Sequence, residues 1–475
     1  MFLSSRGGSL LGIFQPAFGR APARTLVALG SGGCPRRAGP AAVASRGAVP
    51  LATSGPGSGC RQHEQCAGRR RTEQATGATE LPEQPSGAGG GEERHANRPF
   101  LPPALYPMLP RVQAVARRRV RMGGLSKSGE LMSVPQHLID WLRQYLPPGF
   151  EAPLPVRLDP LSGDAGFRRY FRLACTPPVL ATHAPPEHEN NPGFVLKGLA
   201  LARAGVRVPR VYAVDYRRGF LLQEDLGSQL MATLLQAGDE ERCYRRALAT
   251  LARIQAAAPD PTCFPAYDAA SLETEMALFP RWFLGELLGI SPDAEAQGLL
   301  AALFALLIDS AVQQPQVMVH RDYHSRNLLF DGGGDLGVLD FQDAVCGPVT
   351  YDLVSLLRDC YYRLDEAALD RYLTGYCDAV GVPPSERRQW RTWFDLMGLQ
   401  RHIKVLGIFS RLWLRDGKAR YLDDLPLVIR YVLEVAGAHR ETREFADWFA
   451  ARVLPALATC PWYRDWRTAG DRCAP

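Results

Sequence analysis

His320-Arg321-Asp322-Tyr323-His324-Ser325-Arg326-Asn327-Leu328-Leu329-Phe330, followed by Gly337-Val338-Leu339-Asp340-Phe341-Gln342-Asp343, is the stretch on which the fold turns. An Asp and an Asn five residues apart on a loop, then a second Asp after an apolar strand, form the arrangement phosphoryl transfer requires. One carboxylate receives the proton of the acceptor hydroxyl, while an amide and another carboxylate hold Mg²⁺ on the phosphates of a nucleotide. The apolar segments Val317-Met318-Val319 and Leu328-Leu329-Phe330 bound the loop, so strand ends are expected to hold it rigidly. A lone His-x-Asp is a common accident; the full spacing with a following apolar-Asp is much rarer.

Upstream, Leu161-Ser162-Gly163-Asp164-Ala165-Gly166-Phe167-Arg168-Arg169-Tyr170-Phe171-Arg172-Leu173 reads as a Gly-containing turn running into a strand. Taken alone it is compatible with an ordinary hairpin. Small residues at Gly163 and its neighbours would let backbone N–H groups approach phosphate oxygens, with Arg168 and Arg169 supplying positive charge. Val179-Leu180-Ala181-Thr182 reads as a second strand, Ala184-Pro185-Pro186-Glu187 as a turn, and a helix is expected around residues 194–204. Residues 206–214 and Gly219-Phe220-Leu221-Leu222-Gln223-Glu224-Asp225-Leu226-Gly227 complete a small sheet. The last segment, apolar and then acidic and ending in Gly, has the form of a hinge whose backbone at Gln223, Glu224 and Leu226 pairs with an adenine edge.

The catalytic stretch resembles the aminoglycoside phosphotransferase and choline kinase superfamily, in which a His two residues past the Asp, here His324, is typical. Within it, residues 162–173, Ala184-Pro185-Pro186-Glu187, Phe341-Gln342-Asp343-Ala344-Val345, the run from Gly347 through Tyr351-Asp352 to Arg358-Asp359, and Met397-Gly398-Leu399-Gln400-Arg401-His402-Ile403-Lys404-Val405-Leu406-Gly407 look like the bacterial anomeric N-acetylmuramate/N-acetylglucosamine kinases. The resemblance spans about residues 133–455. It implies an α+β, protein-kinase-like two-lobe fold, with a small antiparallel-sheet N-lobe and a larger, mostly helical C-lobe. It also implies ATP and Mg²⁺ as cofactors, and phosphorylation of the C1 hydroxyl of these amino sugars in peptidoglycan recycling. By position Asp322 is then the base, Asn327 and Asp340 the metal ligands, and Asp352 a structural acid. Two positions depart from the pattern: His183 stands where Asp is expected and Gly166 where Ser is expected. Protein kinases also carry a lysine on the strand corresponding to 179–184, and none is present here; Arg168 or Arg169 is the substitute phosphate contact.

The remaining sequence divides sharply. Of 475 residues, 46% are hydrophobic and 22% charged, enough for a sizeable core. Yet residues 1–132 hold 21 of the 45 Gly and only 5 of the 43 aromatics, and carry 18 Lys+Arg against 7 Asp+Glu. Without sustained periodicity this part cannot bury enough apolar surface to offset its ordering entropy, so residues 1–132 are expected to be a disordered extension. Three origins compete: a transit peptide, since residues 1–63 lack Asp and Glu; a basic interaction tail; and upstream reading frame of a GC-rich gene, favoured by 51 Arg against 4 Lys and by Met108, Met122 and Met132. The expected domains are thus residues 1–132, a nucleotide-binding lobe with hinge at 133–227, and a catalytic, acceptor-binding lobe at 228–475.

With the basic excess confined to the extension, nucleic acid is not an expected partner. Eleven Cys without a CxxC pair indicate buried thiols rather than disulfides or a zinc ribbon, and Cys60, His63 and Cys66 fall one ligand short of a structural zinc site. The longest apolar run, residues 298–308, stops at Asp309, short of the ~20 residues of a membrane span. The reading is a cytoplasmic, monomeric enzyme for a small amino sugar.

An anomeric hydroxyl is more acidic than other sugar alcohols, so an ordinary carboxylate suffices as its proton acceptor late in a loose transition state. N-acetylmuramate also carries a lactyl carboxylate. Arg401 and Lys404, three apart on a predicted helix, would share a face and, with His324, form the acceptor site; the alternative is a solvated helix face. Residues 230–475 carry 26 Lys+Arg against 33 Asp+Glu, a balance that suits a rival reading as an aminoglycoside kinase. A pseudokinase binding module is the rival of another class, opposed by intact Asp322, Asn327 and Asp340.

Overall fold

The computed structural model describes residues 134–152, 155–161 and 166–471. The extension, and Gly163 with its turn, lie outside the described residues. The chain opens with α1 (Gln136–Tyr145), whose Leu138, Trp141 and Leu142 recur at helical spacing and bury one stripe. Then come β1 (Leu158–Leu161), β2 (Arg169–Leu173), β3 (Val179–His183), α2 (Asn191–Arg203), β4 (Val211–Asp215) and β5 (Phe220–Glu224). All neighbours in this sheet are antiparallel, in the order β1-β2-β3-β5-β4.

Alternation along the strands divides its faces. Phe171, Leu173, Val179, Ala181, Phe220 and Leu222 pack with α1, whereas Leu221 joins the core that contains Phe194 of α2. The side chain of Asn190 caps α2 by accepting from Gly193 N–H at 2.9 Å.

After β5 follow β6 (Gln229–Leu230), α3 (Met231–Gln236), α4 (Glu240–Ala256), α5 (Ala269–Met276), a π-helical segment (Phe279–Leu287) and α6 (Ala294–Val312). Two short sheets then carry the catalytic loop: β7 (Gln316–Val319) pairs with β10 (Val345–Pro348), and β8 (Leu328–Phe330) lies between β6 and β9 (Leu336–Val338). The chain finishes with α7 (Tyr351–Leu357), α8 (Glu366–Ala379), α9 (Arg387–Asp416), α10 (Arg420–Ala438) and α11 (Arg443–Leu457). Around α9 and α10 gathers a second, helical core that includes Phe279, Phe283, Leu399, Leu406, Val428 and Phe449.

The result is an α+β molecule with a small antiparallel sheet followed by a larger, mostly helical part. At 19 residues and a mean hydropathy of 1.5, α6 is long and apolar enough to cross a membrane by length and composition. In the fold its Leu300, Leu303 and Leu307 pack into the second core. The apolar run read as too short from its unbroken stretch thus belongs to a longer helix, because a lone Asp309 does not end a helix.

Candidate active site

The loop between β7 and β8 is held from outside by two acids on one short stretch of chain. Asp352, fully buried on α7, accepts hydrogen bonds from the backbone N–H groups of His320 (2.6 Å) and Arg321 (2.9 Å). Asp359, seven residues on, accepts from the N–H groups of Ser325 (2.9 Å) and Tyr361 (3.0 Å). Tyr323 reaches down to the Ala247 carbonyl at 2.8 Å, and His320 Nε2 donates to the Leu339 carbonyl at 2.9 Å, tying the loop to the segment before Asp340. These anchors sustain two non-glycine residues in the left-handed region, Arg321 at φ 77° and Asp340 at φ 61°. Such conformations cost of order 1–3 kcal/mol each and persist only where the surroundings over-determine them.

Asp322 lines a cavity of about 400 Å³. Burial alone would raise its carboxyl, but the fields of His324, Lys404, Arg401 and Arg321 outweigh it and hold the pKa below the ordinary Asp value. His324 is itself pushed down by burial, with Asp359 and Asp322 opposing the fall. Asp322 is therefore ionised and ready to accept a proton. Asn327 donates from Nδ2 to the Asp322 carbonyl at 3.0 Å, which fixes the amide and leaves its oxygen for another partner.

Asp340 is exposed just beyond β9, although protein atoms crowd its carboxyl. Crowding raises its carboxyl to about 6, with Asp322 and Asp343 adding negative charge and a 2.5 Å hydrogen bond from Gln342 opposing the rise. A carboxylate so destabilised in its charged form is one that a divalent cation relieves. One carboxylate and one amide oxygen, the rest of the shell being water and phosphate, also suit Mg²⁺. Among the described residues no group of three or more His, Cys, Asp and Glu side chains is placed to hold a metal by itself.

Arg401 and Lys404 do not lie on a solvated helix face. Residues 396–407 of α9 are buried throughout, and both cations line the same cavity as Asp322 and His324. Lys404 Nζ lies 2.9 Å from Glu275 and 2.9 Å from the Tyr351 hydroxyl, whereas an Arg401 guanidinium nitrogen lies 3.4 Å from Cys360 Sγ. Glu275, on α5, also receives the Arg321 guanidinium and the Tyr267 hydroxyl.

On the sheet the two candidate arginines part company. Arg169 points toward His183 Nδ1, 3.3 Å away, on the side of α1. Arg168, only 8% exposed, is paired with Glu189 at 3.1 Å and stacks 4.1 Å above the ring of Phe194. Its charge reaches Asp340, whose pKa it lowers, and all three of its guanidinium nitrogens lack a well-aligned acceptor. On β3, Thr182 accepts a hydrogen bond from the Gln223 side chain at 2.8 Å. Lys197 of α2 donates to the Gln342 carbonyl at 2.6 Å, and Arg172 grips Asp225 at 2.5 and 3.1 Å. Glu224 is bound through both oxygens to Arg207, at 2.7 and 2.8 Å, so its side chain is committed within the protein. Leu226 follows the end of β5, its side chain against Gly337.

Sequence reading offers the stretch from Glu275 to Trp282 only as a fallback for the lactyl site, and does not single out Asp359, Tyr361 or Arg411 as site residues. Asp359 lies two residues beyond the end of α7, at the end of the run from Gly347 that carries the resemblance. The others come together through tertiary packing of α5, the segment after α7, and α9.

A loop Asp clamped beside a metal-competent Asn/Asp pair, at the wall of a cavity, is the arrangement of a phosphotransferase. The phosphotransferase enzyme family matches residues 157–393, and the chain belongs to it. It is 43% identical over 329 residues to the N-acetylmuramate/N-acetylglucosamine kinase of Pseudomonas aeruginosa, covering 66% of this chain and 96% of that protein. To the N-acetylmuramate/N-acetylglucosamine kinase of Pseudomonas putida it is 41% identical over 302 residues, covering 62% and 88%. Among solved structures, the ADP-bound aminoglycoside phosphotransferase APH(2'')-Ib aligns with a TM-score of 0.44 at 15% identity, covering 64% of this chain and 99% of that one.

Proposed function

We propose that the protein transfers the γ-phosphoryl group of ATP to the C1 hydroxyl of N-acetylmuramate and N-acetylglucosamine. The setting is peptidoglycan recycling in the cytoplasm, where ATP is available. The reading is supported by the relatives and by one observation above all: ionised Asp322 faces a cavity of monosaccharide scale, while Asn327 and Asp340 stand beside it.

In this reading ATP lies between residues 133–227 and 228–475, its base against the backbone of the 223–226 hinge. Arg168, braced by Glu189 and Phe194, contacts the phosphates. Mg²⁺, when bound, neutralises phosphate charge, and Asn327 and Asp340 are the residues that hold it. Asp322 orients the C1 hydroxyl and takes its proton as the C1–O bond to γ-phosphorus forms and the bond to the β-phosphate oxygen breaks, releasing ADP and the sugar 1-phosphate. Asp352 and Asp359 touch no reactant; they keep the loop in position. His324, Arg401 and Lys404 line the acceptor side.

An aminoglycoside acceptor fits less well, because Arg401 and Arg411 would oppose a polycation in the cavity. The test is a panel of amino sugars and aminoglycosides with NMR of the products. A phosphorus-coupled anomeric proton on an N-acetylated amino sugar supports the reading; phosphorylation elsewhere, or of aminoglycosides alone, overturns it.

A further inference from the structure

Four cations line the acceptor cavity, Arg321, Arg401, Lys404 and Arg411, against three acids, Glu275, Asp322 and Asp343. Their pairing is uneven. Glu275 gathers Arg321, Lys404 and the Tyr267 hydroxyl, and Lys404 is further committed to the Tyr351 hydroxyl. Arg401 has no such partner: it is 4% exposed, and among the described residues no carboxylate comes within 4.0 Å of its guanidinium. Its one hydrogen-bond contact is Cys360 Sγ at 3.4 Å, and burial pushes that thiol up to about 11, so it is neutral and offsets no charge.

An unpaired buried guanidinium is costly to keep. The wall beside it is largely apolar or neutral, with Tyr361, Val405, Ile408 and Phe409, and the acid that acts on it, Asp322, does so through space without forming an ion pair. At the outer end of the same helix face, Arg411 also lacks a carboxylate, since Asp416 is taken by Arg415 at 2.7 Å. The cavity is therefore built with a charge deficit that a ligand can fill.

We infer that this cavity selects an anionic sugar over a neutral one, and that Arg401 is the residue that holds the sugar's carboxylate. Lys404 is instead a positioning residue that keeps Glu275 and Tyr351 in place. The inference rests on the proposed amino-sugar kinase reading and narrows it. The lactyl ether of N-acetylmuramate is two ring carbons from C1, so a sugar whose C1 hydroxyl meets Asp322 carries its carboxylate toward the same floor of the cavity. Arginine suits the task because its planar fork matches a carboxylate in two parallel hydrogen bonds.

The test compares kcat/KM for N-acetylmuramate, its methyl ester and N-acetylglucosamine in wild-type protein, R401M and K404M. A hydrogen bond to a charged group is worth about 1.5–3 kcal/mol, which converts to roughly 10- to 150-fold. Wild-type protein is expected to prefer the acid to its ester by that factor. R401M is expected to lower the ratio of N-acetylmuramate to N-acetylglucosamine by the same amount, whatever loss is common to both sugars, and K404M to lower both sugars together. The ester comparison needs no variant, so it stands even where R401M fails to fold. Wild-type protein that treats acid and ester alike overturns the inference, as does R401M with an unchanged ratio. Wild-type protein that phosphorylates neither sugar overturns the functional reading itself and the inference with it.

Discussion

Replacing Arg168 by Met removes the cation proposed to contact the nucleotide phosphates while retaining most of the side chain's length. Arg168 is 8% exposed, so water screens little of its charge. Alternative cations are engaged elsewhere: Lys197 with the Gln342 carbonyl, Arg172 with Asp225, and Arg169 turned toward His183. Loss of a charged hydrogen bond to phosphate costs about 1.5–3 kcal/mol, so ATP affinity is expected to fall roughly 10- to 150-fold. A separate structural cost arises because the stack on Phe194, worth roughly 0.5–2 kcal/mol, disappears and Glu189 is left largely buried without its partner. The two effects separate experimentally. Calorimetric titration with MgATP on folded protein reads the first, and thermal unfolding without nucleotide reads the second. Arg168→Lys keeps the charge and is expected to recover part of the ATP affinity, whereas Arg169→Met is expected to leave it unchanged. Folded Arg168→Met that binds ATP within about twofold of wild type would refute the assignment.

Other expectations follow from the same geometry. Asp322→Asn keeps the shape of the base but not its function, and is expected to lower kcat by roughly 10²–10⁴-fold with ATP binding retained; a near-normal rate would remove Asp322 from the mechanism. Asn327→Ala and Asp340→Ala are each expected to raise the Mg²⁺ concentration needed for half-maximal rate, and an unchanged Mg²⁺ dependence would show the ligands lie elsewhere. Asp359→Ala frees the Ser325 and Tyr361 N–H groups and is expected to lower kcat more than either KM, whereas equal KM changes would point to a wider collapse. Burial would raise the Asp395 carboxyl, but His439, Arg358 and Arg391 lower it to about 2. Its pairing therefore stabilises the fold above an unfolded-state pKa near 4 and is lost as pH falls through about 2. Asp395→Asn is expected to cost about 2 kcal/mol at pH 7 in denaturant titrations, with a difference from wild type that shrinks toward pH 2.

The catalytic loop was readable because its chemistry is local. Asp322, Asn327 and Asp340 sit at fixed spacings between apolar strands, and the strands form where the runs of Val, Leu and Met place them. Helix α2 and strands β2 to β5 were equally open to reading, since turn residues punctuate them. Partner choice was not readable. Nothing in the sequence distinguishes Arg168 from Arg169 until strand alternation puts one over Phe194 and the other by His183. Likewise the i, i+3 spacing of Arg401 and Lys404 says only that they share a face. That Lys404 meets Glu275 and Arg401 meets a thiol depends on α5 and the segment after α7, more than one hundred and about forty residues upstream: short, ordinary stretches with no motif of their own.

Helix α2 is fastened to the catalytic segment at three successive places: Phe194 stacks on Phe341 at 4.8 Å, Lys197 binds the Gln342 carbonyl, and Gly198 lets the Phe341 ring approach to where a Cβ would stand 3.1 Å away. Protein kinases that are switched on and off use the corresponding helix as a lever, breaking and remaking an ion pair between it and a strand lysine. Here that strand has no lysine, and the lever is bolted to the residues that flank Asp340. Any swing of α2 away from the catalytic segment would break all three contacts at once, so the helix and the residues flanking Asp340 are set to move as one piece.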